Sequence, residues 1–83
     1  PNPFNGSVIF EYEVPSSEVI EFTIYDIKGS KVLDKLILPG FGGKYKVTWN
    51  GKDTNGDLVS SGIYFYTFST NSNITKGKIT YIK

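Results

Sequence analysis

The chain has 83 residues, nine Lys against eight Asp and Glu for a net charge of +1, and no His, Cys or Met; Arg, Ala and Gln are absent as well. Without Cys there are no disulfides, no thiolate nucleophile and no Cys-based metal site, and without His the usual general base near neutral pH and the commonest zinc ligand are missing. Most hydrolase and metalloenzyme chemistry is thereby disfavoured, and a chain this small, burying only about 60–65% of its unfolded surface, must be held by packing of its 16% aromatic residues.

Period-two alternation organises the sequence into strands. In the first run Val8, Phe10 and Tyr12 alternate with Ile9, Glu11 and Glu13, closed by Pro15-Ser16-Ser17. The second sets Ile20, Phe22 and Ile24 against Glu21, Thr23 and Tyr25, and Asp26-Ile27-Lys28-Gly29 turns the chain. A less regular third run near residues 31–38 ends at Pro39-Gly40-Phe41-Gly42-Gly43. Tyr45, Val47 and Trp49 then alternate with Lys44, Lys46 and Thr48. After a polar loop, Leu58-Val59 reads as a short strand before Ser60-Ser61-Gly62. Residues 63–69 put Tyr64, Tyr66 and Phe68 on one side and Ile63 and Phe65 on the other, and Asn71-Ser72-Asn73 leads into a last strand over 75–83. Thr, Val and Ile total 7 + 6 + 9 = 22 residues, no segment has a 3.6 period, and turn signals recur about every ten residues. These patterns predict an all-β, Ig-like or fibronectin-like antiparallel sandwich of about seven short strands, occupying residues 1–83 as a single domain. With no initiator Met, the chain reads as excised from a larger protein. No stretch is long and apolar enough to span a membrane.

The charges are segregated. Residues 1–27 hold five acids and no Lys, whereas residues 28–83 hold all nine Lys and three acids. In a sheet this predicts cross-strand pairing of an acidic early hairpin with basic later strands. The lack of Arg for bidentate base or phosphate contacts argues against nucleic acid as a partner.

Three constellations could carry chemistry. Asn50, Asp53, Asn55 and Asp57 form an oxygen-rich loop that could suit Ca²⁺, but the EF-hand spacing fails: with Gly56 at position six, glycines fall where acids are required. The competing reading is a turn in which Asx side chains hold backbone N–H groups and glycine supplies positive φ. Glu11 and Glu13 share a strand side, the pattern of a solvated face rather than an acid–base pair. Tyr25, Tyr45, Trp49, Tyr64, Tyr66 and Tyr81 could form a carbohydrate-binding platform; alternation instead places Trp49 at the centre of the core. The residues alone give a non-enzymatic β-sandwich with no cofactor.

Five landmarks occur in order: Pro1-Asn2-Pro3-Phe4-Asn5; Ile20-x-Phe22-x-Ile24-Tyr25-Asp26-Ile27-x-Gly29; Trp49-Asn50-Gly51-x-Asp53-x-x-Gly56; Ser61-Gly62-Ile63-Tyr64-Phe65-Tyr66; and Gly77-Lys78-Ile79-x-x-Ile82-Lys83. Together they resemble the type A C-terminal sorting domain of type IX secretion cargo in Bacteroidetes and related phyla. They are also similar to the Ig-like domain of flagellar hook-capping proteins. The resemblance implies a transport address on a larger N-terminal cargo, read by an outer-membrane translocon and its shuttle protein and then removed by a sortase. It implies passage through the periplasm to the cell surface or beyond, without membrane insertion. The family's terminal signal maps onto Gly77, Lys78, Ile79, Ile82 and Lys83. Pro3, Phe4, Asp26, Gly29, Trp49, Asp53, Gly56, Gly62 and Tyr64 take structural roles. One departure is Thr67, where relatives often carry Arg. A structural spacer in a surface enzyme or hook cap, or a carbohydrate-binding module, is the alternative.

Overall fold

A computed structural model describes residues 6–38 and 40–83, and within them every regular element is a strand: β1 (Val8–Ser17), β2 (Ile20–Tyr25), β3 (Lys31–Leu38), β4 (Phe41–Trp49), β5 (Gly62–Ser69) and β6 (Ile74–Tyr81). All pairings are antiparallel. β1 pairs with β4 in a two-stranded sheet, and the second sheet has the order β3-β2-β5-β6. Among the described residues β6 is therefore an edge strand, hydrogen-bonded along one side to β5. The two sheets pack face to face with overall extents of 35 × 25 × 21 Å.

The core follows the alternation. Val8, Phe10 and Val14 from β1 and Trp49 from β4 meet Ile20, Phe22 and Ile24 from β2, Tyr64 and Phe68 from β5, and Tyr81 from β6. Rings do most of the filling. The Phe10 ring lies 5.0 Å from that of Phe22 and 4.8 Å from that of Tyr66, both edge-on. Trp49 sits 5.4 Å from Tyr64 and 5.1 Å from Tyr81. Edge-to-face pairs place the positive rim of one ring on the negative face of the next, adding about 0.5–1.5 kcal/mol beyond burial.

Four features differ from the sequence reading. The expected strand at Leu58-Val59 is a single bridge between Lys52 and Leu58, so the described residues form six strands rather than about seven. The chain between those residues is drawn into a tight loop, and Val59 N–H donates to Gly51 O at 2.8 Å. β1 does not stop at Pro15 but runs to Ser17, which pairs with Phe41; the register shifts between Val14 and Ser17. Proline, having no N–H for the ladder, is accommodated at such an irregularity. Correspondingly, Phe41-Gly42-Gly43 belongs to β4 rather than to a turn. The last strand ends at Tyr81, leaving Ile82 and Lys83 beyond it.

Among the described residues the predicted cross-strand pairing closes as an ion pair between Glu21 and Lys35 at 4.0 Å, while the acids of β1 face lysines of β4 in register without an ion pair. Glu11 lies opposite Lys46 and Glu13 opposite Lys44 on the outer face of the β1–β4 sheet. The lysines of β6 are not matched in this way: Lys76 lies opposite Thr67 and Lys78 opposite Phe65.

Candidate functional site: twin aspartate loops and the terminal edge strand

Two loops at one end of the sandwich share a single construction. In Asp26-Ile27-Lys28-Gly29-Ser30, the Asp26 carboxylate Oδ1 accepts the N–H groups of Lys28 and Ser30, each at 2.9 Å. Asp26 N–H donates to Ser30 O at 2.9 Å, and Gly29 N–H donates to Asp26 O at 3.0 Å. In Asp53-Thr54-Asn55-Gly56-Asp57 the pattern repeats position by position. Asp53 Oδ1 accepts the N–H groups of Asn55 and Asp57 at 2.9 Å, Asp53 N–H donates to Asp57 O at 2.8 Å, and Gly56 N–H donates to Asp53 O at 2.9 Å. The glycines adopt φ of 87° and 86°, a left-handed conformation that a side chain disfavours. This twinning was hidden in the sequence because only Asp-x-x-Gly is common to both. The chemical logic is visible: a carboxylate that gathers two backbone N–H groups replaces the hydrogen bonds that a tight turn removes.

The second loop also docks on β3. Thr54 N–H donates to Val32 O at 3.0 Å, and Thr54 Oγ1 accepts Asp34 N–H at 2.7 Å. The Asp53 side chain is thus engaged as a loop brace, with Asn50, Asn55 and Asp57 exposed around it. Among the described residues no group of three or more His, Cys, Asp or Glu is placed to hold a metal ion. Replacing Asp53 with alanine is expected to cost about 1–3 kcal/mol, the worth of hydrogen bonds to a charged acceptor. Asp53→Asn keeps an accepting oxygen and should cost less; thermal unfolding followed by circular dichroism separates the two. Equal loss from both variants would mean that the charge, not the acceptor, holds the loop.

The neighbouring landmark residues close the same end. Trp49 Nε1 donates to Lys52 O at 2.9 Å, and Gly51, at φ 80°, lies against the Tyr81 ring so closely that a Cβ there would overlap it. Tyr64 donates its hydroxyl to Ser60 O at 2.7 Å. Burial, and secondarily the negative charge of Asp26, pushes the Tyr64 phenol above its usual pKa, so it remains a neutral donor. Gly62 opens β5 opposite Tyr81. Pro3 and Phe4 lie outside the described residues.

The five terminal residues separate into two kinds. Gly77 faces inward beneath the Tyr66 ring, which occupies the space a Cβ would take, and Ile79 packs against the core. Lys78, Ile82 and Lys83 are exposed. Lys83 N–H donates to Ser61 Oγ at 3.0 Å, holding the end of the chain beside the start of β5. The terminal run therefore combines residues that seat β6 with residues that a partner can touch. Thr67 lies between Thr23 and Lys76 in the β2–β5–β6 ladder.

The six rings considered as a sugar platform do not share an exposed face. Trp49, Tyr64 and Tyr81 are in the core, Tyr66 covers Gly77, and Tyr45 stacks on Tyr12 at 5.5 Å. Tyr25 lies opposite Phe65, on the other side of the sheet. Glu11 and Glu13 face Lys46 and Lys44, as residues of a solvated face do.

A two-sheet Ig-like sandwich braced by aspartate loops, with an edge strand at its C-terminal end, defines a small β-module with no assembled catalytic constellation among the described residues. Solved structures of the flagellar protein FlgD share this fold. FlgD of P. aeruginosa superposes with a TM-score of 0.71 at 22% identity, covering 99% of this chain and 63% of that one. FlgD of Xanthomonas campestris, described with hook capping in flagellar assembly, gives a TM-score of 0.65 at 26% identity, covering 93% of this chain and 56% of that one. The chain thus spans less than two thirds of either FlgD chain. A comparison with curated proteins gives no match. The model of the secretion system C-terminal sorting domain matches residues 1–83, and the chain belongs to that family, the sorting domains of type IX secretion.

Proposed function

We propose that this chain is a non-catalytic address that carries an N-terminally attached cargo across the outer membrane by type IX secretion, toward the cell surface or the medium. The observation that carries this reading is the sorting-domain match over residues 1–83. The machinery that reads the address is a translocon with its shuttle protein, and a sortase completes processing after periplasmic transit. β6 suits this role physically. Among the described residues it is an edge strand, the kind of element to which a partner can add a strand, and its exposed Lys78, followed by Ile82 and Lys83, offers side-chain contacts beyond that ladder.

The test is a reporter fused ahead of residue 1 in a host with a functional type IX system. Export of the fusion, abolished in a translocon-deficient host, is the expected result. Deleting residues 78–83 is a poor probe, because it removes the buried Tyr81 and with it part of the core. Ile82→Ser with Lys83→Glu alters exposed groups and is expected to reduce export severalfold while the domain stays folded. Unchanged export would exclude the chain end from the address.

The likeness to FlgD favours a second reading, a structural Ig-like module that spaces or caps an assembly. The same fusion distinguishes the two, since a spacer confers no export.

A further inference from the structure

The outer faces of the two sheets are chemically unlike. On the β1–β4 sheet, the outward row carries Ile9 beside charged positions, with Glu11 opposite Lys46 and Glu13 opposite Lys44. On the four-stranded sheet the register instead builds one row across all four strands. Lys31 lies opposite Tyr25, Tyr25 opposite Phe65, and Phe65 opposite Lys78. Residues directly opposite in a ladder point to the same face, and adjacent strands lie about 4.8 Å apart, so the row is about 14 Å long. Two residues along β5 from Phe65, on the same face, is Ile63; the two are 38% and 42% exposed although β5 is an interior strand of the sheet. A sheet face meant only for water carries polar residues at such positions.

The charge around this aromatic centre is one-sided. Lys31 is 3.4 Å from the Asp34 carboxylate, an exposed pair, and at the far end of the sheet Lys35 reaches Glu21 at 4.0 Å. On the β6 margin, Lys76 and Lys78 face Thr67 and Phe65, with no acid opposite either. The face is thus an apolar centre with a cationic margin along the terminal strand. It is assembled from residues 53 positions apart in the chain, Tyr25 and Lys78.

We propose that this face is the docking surface for a protein of the export apparatus that presents an apolar centre edged with carboxylates on the β6 side. This rests on the sorting reading and deepens it: the address is a surface spanning β2, β5 and β6, not the terminal strand alone. Charge complementarity selects the partner's chemistry, because an acidic edge gains from Lys76 and Lys78 and loses nothing to an acid already opposite them. The buried apolar centre supplies affinity, and the cationic margin sets orientation.

The reporter fusion tests this with Phe65→Thr, with Lys76→Glu plus Lys78→Glu, and with Ile9→Thr on the opposite outer face as the control. All four positions point away from the core, and thermal unfolding of each purified domain verifies folding. A tenfold or greater loss of export from the Phe65 variant or the double lysine variant, with the Ile9 variant unaffected, is the expected result. Wild-type export from folded Phe65 and lysine variants overturns the docking surface and leaves the sorting reading standing. Failure of the unaltered fusion to be exported overturns the sorting reading, and this one with it. Should Phe65→Thr not fold, the lysine variant, which leaves Phe65 itself in place, decides. A photo-crosslinking residue at position 65 gives an independent readout. Crosslinks to an outer-membrane protein of the apparatus support the proposal, whereas crosslinks confined to polysaccharide or lipid refute it.

Discussion

Replacing Trp49 with alanine is expected to cost about 3–5 kcal/mol, the range for removing a large buried aromatic side chain. The indole is 3% exposed, lies edge-on to Tyr64 and against Tyr81, and donates Nε1–H to the Lys52 carbonyl at 2.9 Å. Alanine would leave a cavity at the meeting of β4, β5 and β6 and free the loop that follows. A domain of this size has a total stability of roughly 4–12 kcal/mol, so the variant should lose a quarter or more of it. Urea denaturation followed by circular dichroism measures the loss directly. Trp49→Phe keeps a ring but removes the hydrogen bond, and its smaller loss separates packing from the bond. A loss below about 1 kcal/mol for Trp49→Ala would contradict the central place given to this residue.

Gly51→Ala is expected to be nearly as damaging, for two reasons that can be measured separately. The backbone at φ 80° is strained for any side chain, by about 1–2 kcal/mol. In addition, the new Cβ would overlap the Tyr81 ring, which is 2% exposed and packed against Trp49, so it has little room to yield. Forcing such a core typically costs a further 1–3 kcal/mol or so. Gly29 supplies the reference. Its φ is 87°, but nothing lies within 4 Å of a Cβ placed there, so Gly29→Ala bears the backbone strain alone. Denaturation midpoints of the two variants should differ by the cost of displacing Tyr81. Equal losses would mean that the ring moves aside freely.

Strong alternation made much of the fold legible. β2 and β5 are recoverable almost to the residue, because most of their inward positions are large and apolar and their ends are marked by the Asp26-x-x-Gly29 and Ser61-Gly62 signals. Leu58-Val59 misled, since two apolar residues in a loop have strand propensity without a strand partner. The ends of β1 and β4 misled in the opposite direction. Pro15 and the Gly42-Gly43 pair are turn signals by type, yet pairing of Ser17 with Phe41 carries both strands past them. Propensity is local, and the ladder partner that overrode it lies 24 residues away.

The site was legible only as a set of residue types. Asp53 and Asp26 are visible as turn formers, but that the two loops share one hydrogen-bond pattern requires their backbone geometry. Of the terminal residues, the sequence ranks Gly77, Lys78, Ile79, Ile82 and Lys83 together. The structure divides them, because Tyr66 covers Gly77 and the pleat turns Ile79 inward while Lys78 points out.

Length and composition settled what chemistry could not occur through Cys or His, and periodicity determined which side of each strand is buried. The segregation of charge was equally plain in the sequence: acids in residues 1–27, lysines after them. Which lysines meet those acids was decided by tertiary structure alone, because β1 pairs with β4 and not with β6. That pairing depends on strand order, a long-range choice governed by how the aromatic faces of two sheets fit together. It sets Lys44 and Lys46 opposite Glu13 and Glu11 and leaves Lys76 and Lys78 beside Phe65 with no acid opposite.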